Sequence, residues 1–354
     1  MSTGRPVSRD SDVYREFERL YRAARELQPS DLDRWNGDLE TVDGKWGGLA
    51  PDGTMRLNEQ LVLNHLDPQR PSAAQASALT TVYHEALHGR VPIDAPLEPN
   101  AFRGRESKAL NEGLTEYAAV RDTDIFAAST GYGHVTPNAP EYPAAHAATR
   151  DLLNYAANSP TERNALVDRA LAQPVVMRWD VIADHIVRTR LDGVVPADPA
   201  HQQAARAELV NAMANNSWHT LEEVNYSSIG EAAATSSIEA SNQAIGRIEQ
   251  HYQQFPNHPY PSASPNPAAL QAPSQGIAPT SGQSISQAAG PQVNGEQERR
   301  FASPEMRAPF AGQAPAAGAV QTAPKLGNGS RAQTGPAGPT KSLGPRDPTD
   351  RGRD

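Results

Sequence analysis

Apolar residues recur at helical spacing through most of the first 254 positions. Val13, Phe17, Leu20, Tyr21, Ala24 and Leu27 share one face of a 3.6-residue repeat and predict a first amphipathic helix. Residues 41–58 break that period. Gly44, Gly47, Gly48 and the turn Pro51-Asp52-Gly53 separate short apolar runs, which predicts a β-hairpin with residues 54–58 as its second strand. Ala73, Ala76, Leu79, Val82, Tyr83, Ala86 and Leu87 then restore the helical period. Ser72 is positioned to cap that helix, and Gly89 and Pro92 to end it. A second stretch carries Leu110, Leu114, Tyr117, Ala118 and Phe126. Beyond residue 140 the pattern predicts helices at about 143–158, 160–172, 174–190, 198–215 and 228–253. The fold class is therefore α+β and mostly helical, with a small β-sheet or hairpin ahead of the helix that starts near Ser72.

Composition divides the chain. From about Phe255 onward the last 100 residues hold 16 of the 31 prolines, with Ala, Gly, Ser and Gln between them. Such a stretch buries too little apolar surface to offset its ordering entropy, and is expected to be a disordered Pro/Ala/Gly-rich tail over 255–354. Residues 1–10 read as a flexible polar arm. Residues 11–254 are left for one large domain, or one domain with two lobes.

Charge narrows the partners. The whole chain carries −9, while the tail has nine Lys/Arg against six Asp/Glu, so the body is more acidic than the total. An acidic body argues against a nucleic-acid substrate. The chain has no cysteine, which excludes disulfides and thiolate metal ligands. No run approaches a membrane span, and no apolar segment follows a basic start. The expected location is the cytoplasm, or outside the cell by a route without an ordinary signal peptide.

The chemistry concentrates at His84-Glu85-Ala86-Leu87-His88. Residues four apart on a helix lie on one face, so His84 and His88 would aim two imidazoles at one point. Two ligands of a tetrahedral zinc need that arrangement. Glu85 lies where a general base could reach a water activated by the metal. The alternative is a helix with two ordinary histidines and a solvated glutamate. A third ligand is available in Ala109-Leu110-Asn111-Glu112-Gly113-Leu114-Thr115-Glu116-Tyr117. Twenty-three residues separate His88 from Glu112, enough for a loop through Pro92, Pro96 and Pro99 and about two turns of helix. Glu112 can then close a His2Glu site with one open position. Glu116, one turn later, can accept a hydrogen bond from a ligand histidine. The rival third ligand is Asp94, six residues after His88, but Val91 and Pro92 stand where a sharp glycine turn would be needed.

The ordered pair HExxH and NExxx(D/E), here HEALH and NEGLTEY, resembles the gluzincin metallopeptidases, the thermolysin-like and aminopeptidase-like clan, over about residues 72–126. The resemblance implies a zincin-like core and a helical C-terminal lobe. It implies one Zn2+ on His84, His88 and Glu112, with Glu85 as catalytic base and Glu116 orienting a ligand histidine. Gluzincins also supply a Tyr or His to the oxyanion. Tyr142 is the first candidate for that role, with His146 and His134 behind it, whereas His185 reads as structural. The expected activity is zinc-dependent peptide hydrolysis on a peptide or protein substrate, with no nucleic acid or membrane partner. The tail is a candidate for binding a partner. Two other classes fit the same residues: a zinc-stabilised interaction module without activity, and a secreted protease effector or toxin.

Overall fold

The structure is a computed structural model that describes residues 4–44 and 46–270. It is α+β and mostly helical, with one four-stranded sheet. Strand β1 (Arg5–Pro6) pairs antiparallel with β2 (Leu39–Val42), β2 runs parallel to β4 (Met55–Asn58), and β3 (Gly47–Leu49) pairs antiparallel with β4. The expected hairpin is thus β3 and β4, joined through the turn at Gly53, whose φ of 88° suits glycine. The register sets Leu39 beside Met55, and these two bury with Leu49 and Leu57. On the other face Arg56 bonds Glu40 at 3.0 Å.

Helix α1 (Asp12–Leu27) starts at Ser11, whose hydroxyl accepts from Tyr14 N at 3.2 Å. Its apolar face is the predicted one, and Phe17 and Tyr21 pack on Trp35. Helix α2 (Gln75–His88) packs against the edge strand β3 and carries the His pair in its last two turns. Ser72 does not cap it. The helix begins after Ala74 with no side-chain cap, because Ser72 turns its hydroxyl to His65 Nδ1 at 2.9 Å. Helix α3 (Glu106–Ser129) packs on α2, and α4 (Pro143–Ala156) packs on α3. A β-carbon at Gly113 would lie 2.5 Å from Ala145 O, so the α3–α4 crossing requires a glycine immediately after Glu112.

Helices α5 (Pro160–Leu171), α6 (Arg178–Arg190), α7 (Pro199–Met213) and α8 (Ser227–Gln254) complete the body close to their predicted bounds. One apolar cluster runs from Tyr14 to Tyr252, with Trp179 edge-on to Trp218 near its centre. Among the described residues no helix is long and apolar enough to cross a membrane.

Two boundaries differ from the sequence expectation. The arm at residues 1–10 contributes Arg5–Pro6 to the sheet, and Val7 N bonds Leu39 O at 2.8 Å. The tail expected from 255 runs along the body for its first dozen residues. Ser264 Oγ and Asn266 N both donate to Pro99 O, at 2.6 and 3.0 Å, and Asn266 Nδ2 donates to Pro96 O and Glu98 O. Asn266 is buried by these bonds. Composition missed both boundaries because each segment is held by polar backbone pairing rather than by apolar burial. The remainder of the expected tail, 271–354, lies outside the described residues.

Candidate metal centre

The helical repeat of α2 brings His84 and His88 one turn apart, and α3 returns antiparallel to lay Glu112 against them. His84 Nε2 and His88 Nε2 are 3.0 Å apart, and each lies 3.2 Å from Glu112 Oε2. Three ligand atoms thus form a nearly equilateral triangle. A tetrahedron with ligands at about 2.0–2.1 Å from its centre has edges of roughly 3.3–3.4 Å, so the triangle is close to one face of a zinc tetrahedron. Among the described residues these three form the one group of His, Asp and Glu side chains placed so that it could hold a metal ion.

The surroundings fix which atoms face the triangle. His84 Nδ1 donates to Glu116 Oε2 at 2.8 Å. With its proton on Nδ1, the His84 ring turns a lone pair on Nε2 toward Glu112 Oε2. Two lone pairs at that distance repel unless a positive charge lies between them. Burial disfavours the charged imidazole, yet bonds to Glu112 and Glu116 outweigh it and hold the His84 pKa well above its ordinary value. Burial likewise raises Glu112, but the two imidazoles win and hold its carboxyl below the usual range. A second proton on His84 can supply that charge, and so could a metal ion, since the donor set of two imidazoles and one carboxylate fits a divalent metal with nitrogen and oxygen preference.

Glu116 is held from behind. Glu141 N donates to its Oε1 at 2.8 Å. The Glu141 carboxyl accepts from Thr81 Oγ1 at 3.0 Å, and burial beside Glu116 pushes its pKa up to about 8. Sequence reasoning missed Glu141. Its only signal was its position before Tyr142, since its contact to Glu116 spans 25 residues.

Glu85 is buried on α2 toward the sheet edge, with its Cγ 3.2 Å from where a β-carbon on Gly47 would stand. Burial raises its carboxyl above the usual range, opposed by His84 and His88. Its carboxylate has no hydrogen-bond partner among the described residues. Tyr142 stacks on the His84 ring, centroids 5.3 Å apart and planes 14° from parallel. Burial and the nearby Glu112 and Glu85 hold its hydroxyl pKa well above 10, so it remains a donor at neutral pH. That hydroxyl too has no hydrogen-bond partner among the described residues.

The other candidates fall elsewhere. Asp94 accepts from Arg103 at 2.7 Å and from Ala95 N, and it takes no part in the cluster. His134 is exposed and bonds Asp124 at 3.1 Å. His146 stacks on Tyr117, 5.9 Å between centroids, and burial lowers its pKa. His185 accepts from Arg169 at 3.1 Å and lies against Glu162, a structural arrangement. No family model, curated protein or solved structure matches the chain.

Proposed function

We propose that this protein is a zinc-dependent peptide hydrolase with a gluzincin-type centre on a zincin-like core. The observation that carries the reading is the convergence of His84 Nε2, His88 Nε2 and Glu112 Oε2 within 3.0–3.2 Å of one another, with an unpaired Glu85 beside them. His84, His88 and Glu112 would hold the metal. When bound, zinc supplies Lewis acidity toward a peptide carbonyl and brings the pKa of a water toward about 7.

The remaining chemistry belongs to the chain. Glu85 accepts a proton from the attacking water and returns it to the leaving amine nitrogen as the C–N bond breaks. Its burial favours this, because a raised carboxyl pKa makes it a stronger base. Tyr142 donates a hydrogen bond to the carbonyl oxygen as negative charge develops there. Glu116 fixes the His84 tautomer through the 2.8 Å bond to Nδ1. The edge strand β3, whose Gly47 approaches Glu85, offers backbone groups to an extended peptide.

The test is zinc content followed by digestion. Purified full-length protein should hold close to one zinc and cut members of a peptide library, with cleavage sites read by mass spectrometry. Zinc without any cleavage would favour a non-catalytic interaction module instead.

A further inference from the structure

One dipeptide ties together the two helices that carry the metal centre. Glu141 and Tyr142 end the connector between α3 and α4. That connector follows a stripe of α2 made by Ser77, Thr81 and His84, whose spacing places them on one helical face. Asn138 Nδ2 donates to Ser77 Oγ at 2.6 Å, the Glu141 carboxyl meets Thr81 Oγ1 at 3.0 Å, and the Tyr142 ring stacks on His84. These contacts follow one another toward the metal ligands. Glu141 also reaches α3. Its N–H donates to Glu116 Oε1 at 2.8 Å, while Glu116 Oε2 accepts from His84 Nδ1. His84 is thus held on its face by Tyr142 and on its edge by Glu116, and Glu141 touches both arrangements.

The Thr81 contact is the one that the Glu141 side chain makes. Thr81 is buried, and its hydroxyl also lies 2.9 Å from Ser77 O. An ionised Glu141 accepts the Thr81 proton. A protonated Glu141 donates to Thr81 Oγ1 and leaves that proton to Ser77 O. Both states keep the two side chains joined. Burial and the charge of Glu116 push the Glu141 pKa up to about 8, so an acid at this position is costly. An apolar side chain would fill the space without that cost. The carboxyl adds direction. Fixed on α2, it sets the backbone of residue 141, and with it the N–H aimed at Glu116 and the entry of Tyr142 into α4.

We propose that Glu141 is a positioning residue of the metal centre, clamped to Thr81 so that its N–H holds Glu116 and the adjoining Tyr142 ring stays on His84. This role rests on the metal-centre reading above. Without the clamp, Glu116 loses the donor that orients its far oxygen, which loosens its hold on His84. Tyr142 also loses its fixed place, and turnover is steeply sensitive to such a displacement.

The experiment measures zinc affinity by chelator competition, and kcat and KM on one peptide from the library screen. It uses the full chain, at a temperature where circular dichroism shows each variant folded. Glu141→Ala and Thr81→Val should each weaken zinc binding several-fold and lower kcat about 10–100-fold, with KM nearly unchanged. The double variant should lose no more than the worse single variant, because both break one contact. Glu141→Gln and Thr81→Ser each keep a donor and an acceptor at the clamp and should retain most of the wild-type affinity and kcat. If Glu141→Ala does not fold, Thr81→Val against Thr81→Ser decides. Wild-type zinc affinity in the folded Glu141→Ala and Thr81→Val proteins overturns the proposal whatever their turnover. Multiplicative losses in the double variant overturn it too, as does a Thr81→Ser protein no better than Thr81→Val. Zinc-replete wild type that cuts no peptide overturns the hydrolase reading instead, and the zinc affinities then decide the clamp alone. If His84→Ala keeps its zinc, the metal centre itself is wrong.

Discussion

The Nδ1 of His84 donates to Glu116 Oε2 at 2.8 Å, across two helices and 32 positions of sequence. That bond decides which nitrogen of the ring is free for a ligand. Glu116→Ala should therefore weaken zinc affinity about 10–100-fold while leaving His84, His88 and Glu112 in place. Chelator competition gives the number directly. Unchanged affinity would mean that the tautomer is set by something other than Glu116.

The third ligand can be assigned by subtraction. Glu112→Ala should lose zinc at micromolar protein concentration, because Glu112 Oε2 lies 3.2 Å from both imidazoles. Asp94→Ala should retain it, since Asp94 is engaged by Arg103 at 2.7 Å. Metal analysis after desalting checks both. The reverse pattern would exchange the two assignments.

Tyr142 should matter only while the carbonyl oxygen gains charge. Tyr142→Phe keeps the stacking on His84 but removes the hydroxyl. Turnover should fall by roughly two to three orders of magnitude, with zinc content and KM nearly unchanged. Steady-state kinetics on one peptide found in the library screen separates these terms. Normal turnover would remove Tyr142 from the reaction and return His146 and His134 to consideration.

Truncation distinguishes the two parts of the C-terminal hundred residues. Deleting 271–354 should leave the melting temperature almost unchanged, because that sequence offers few apolar side chains for packing. Deleting 261–354 also removes Ser264 and Asn266 from the backbone of the Pro96–Pro99 loop. The loss should be roughly 1–3 kcal/mol, or about 3–10 °C in a domain of this size. Scanning calorimetry on both truncations tests the boundary.

Local pattern carried much of this structure and missed what is held at long range. The helices followed the 3.6-residue period to within a few residues, because each buries a stripe in one core. His84, His88, Glu112 and Glu116 were legible because two helices with fixed repeats carry them. Arg5–Pro6 and residues 262–266 were not, since backbone bonds to distant segments leave no period in the sequence. Glu141 escaped for a related reason. It reaches Glu116 through its own backbone N–H, and Thr81 across 60 positions.

The most direct test of the central claim uses Glu85→Gln. The substitution keeps the shape of the side chain and leaves the three ligands untouched, but the amide cannot take a proton from water at neutral pH. Wild type and Glu85→Gln would be loaded to the same zinc content and incubated with the same peptide library. The account predicts cleavage by wild type and none by Glu85→Gln at equal zinc and equal melting temperature. Equal cleavage by both proteins would contradict it, as would no cleavage by zinc-replete wild type.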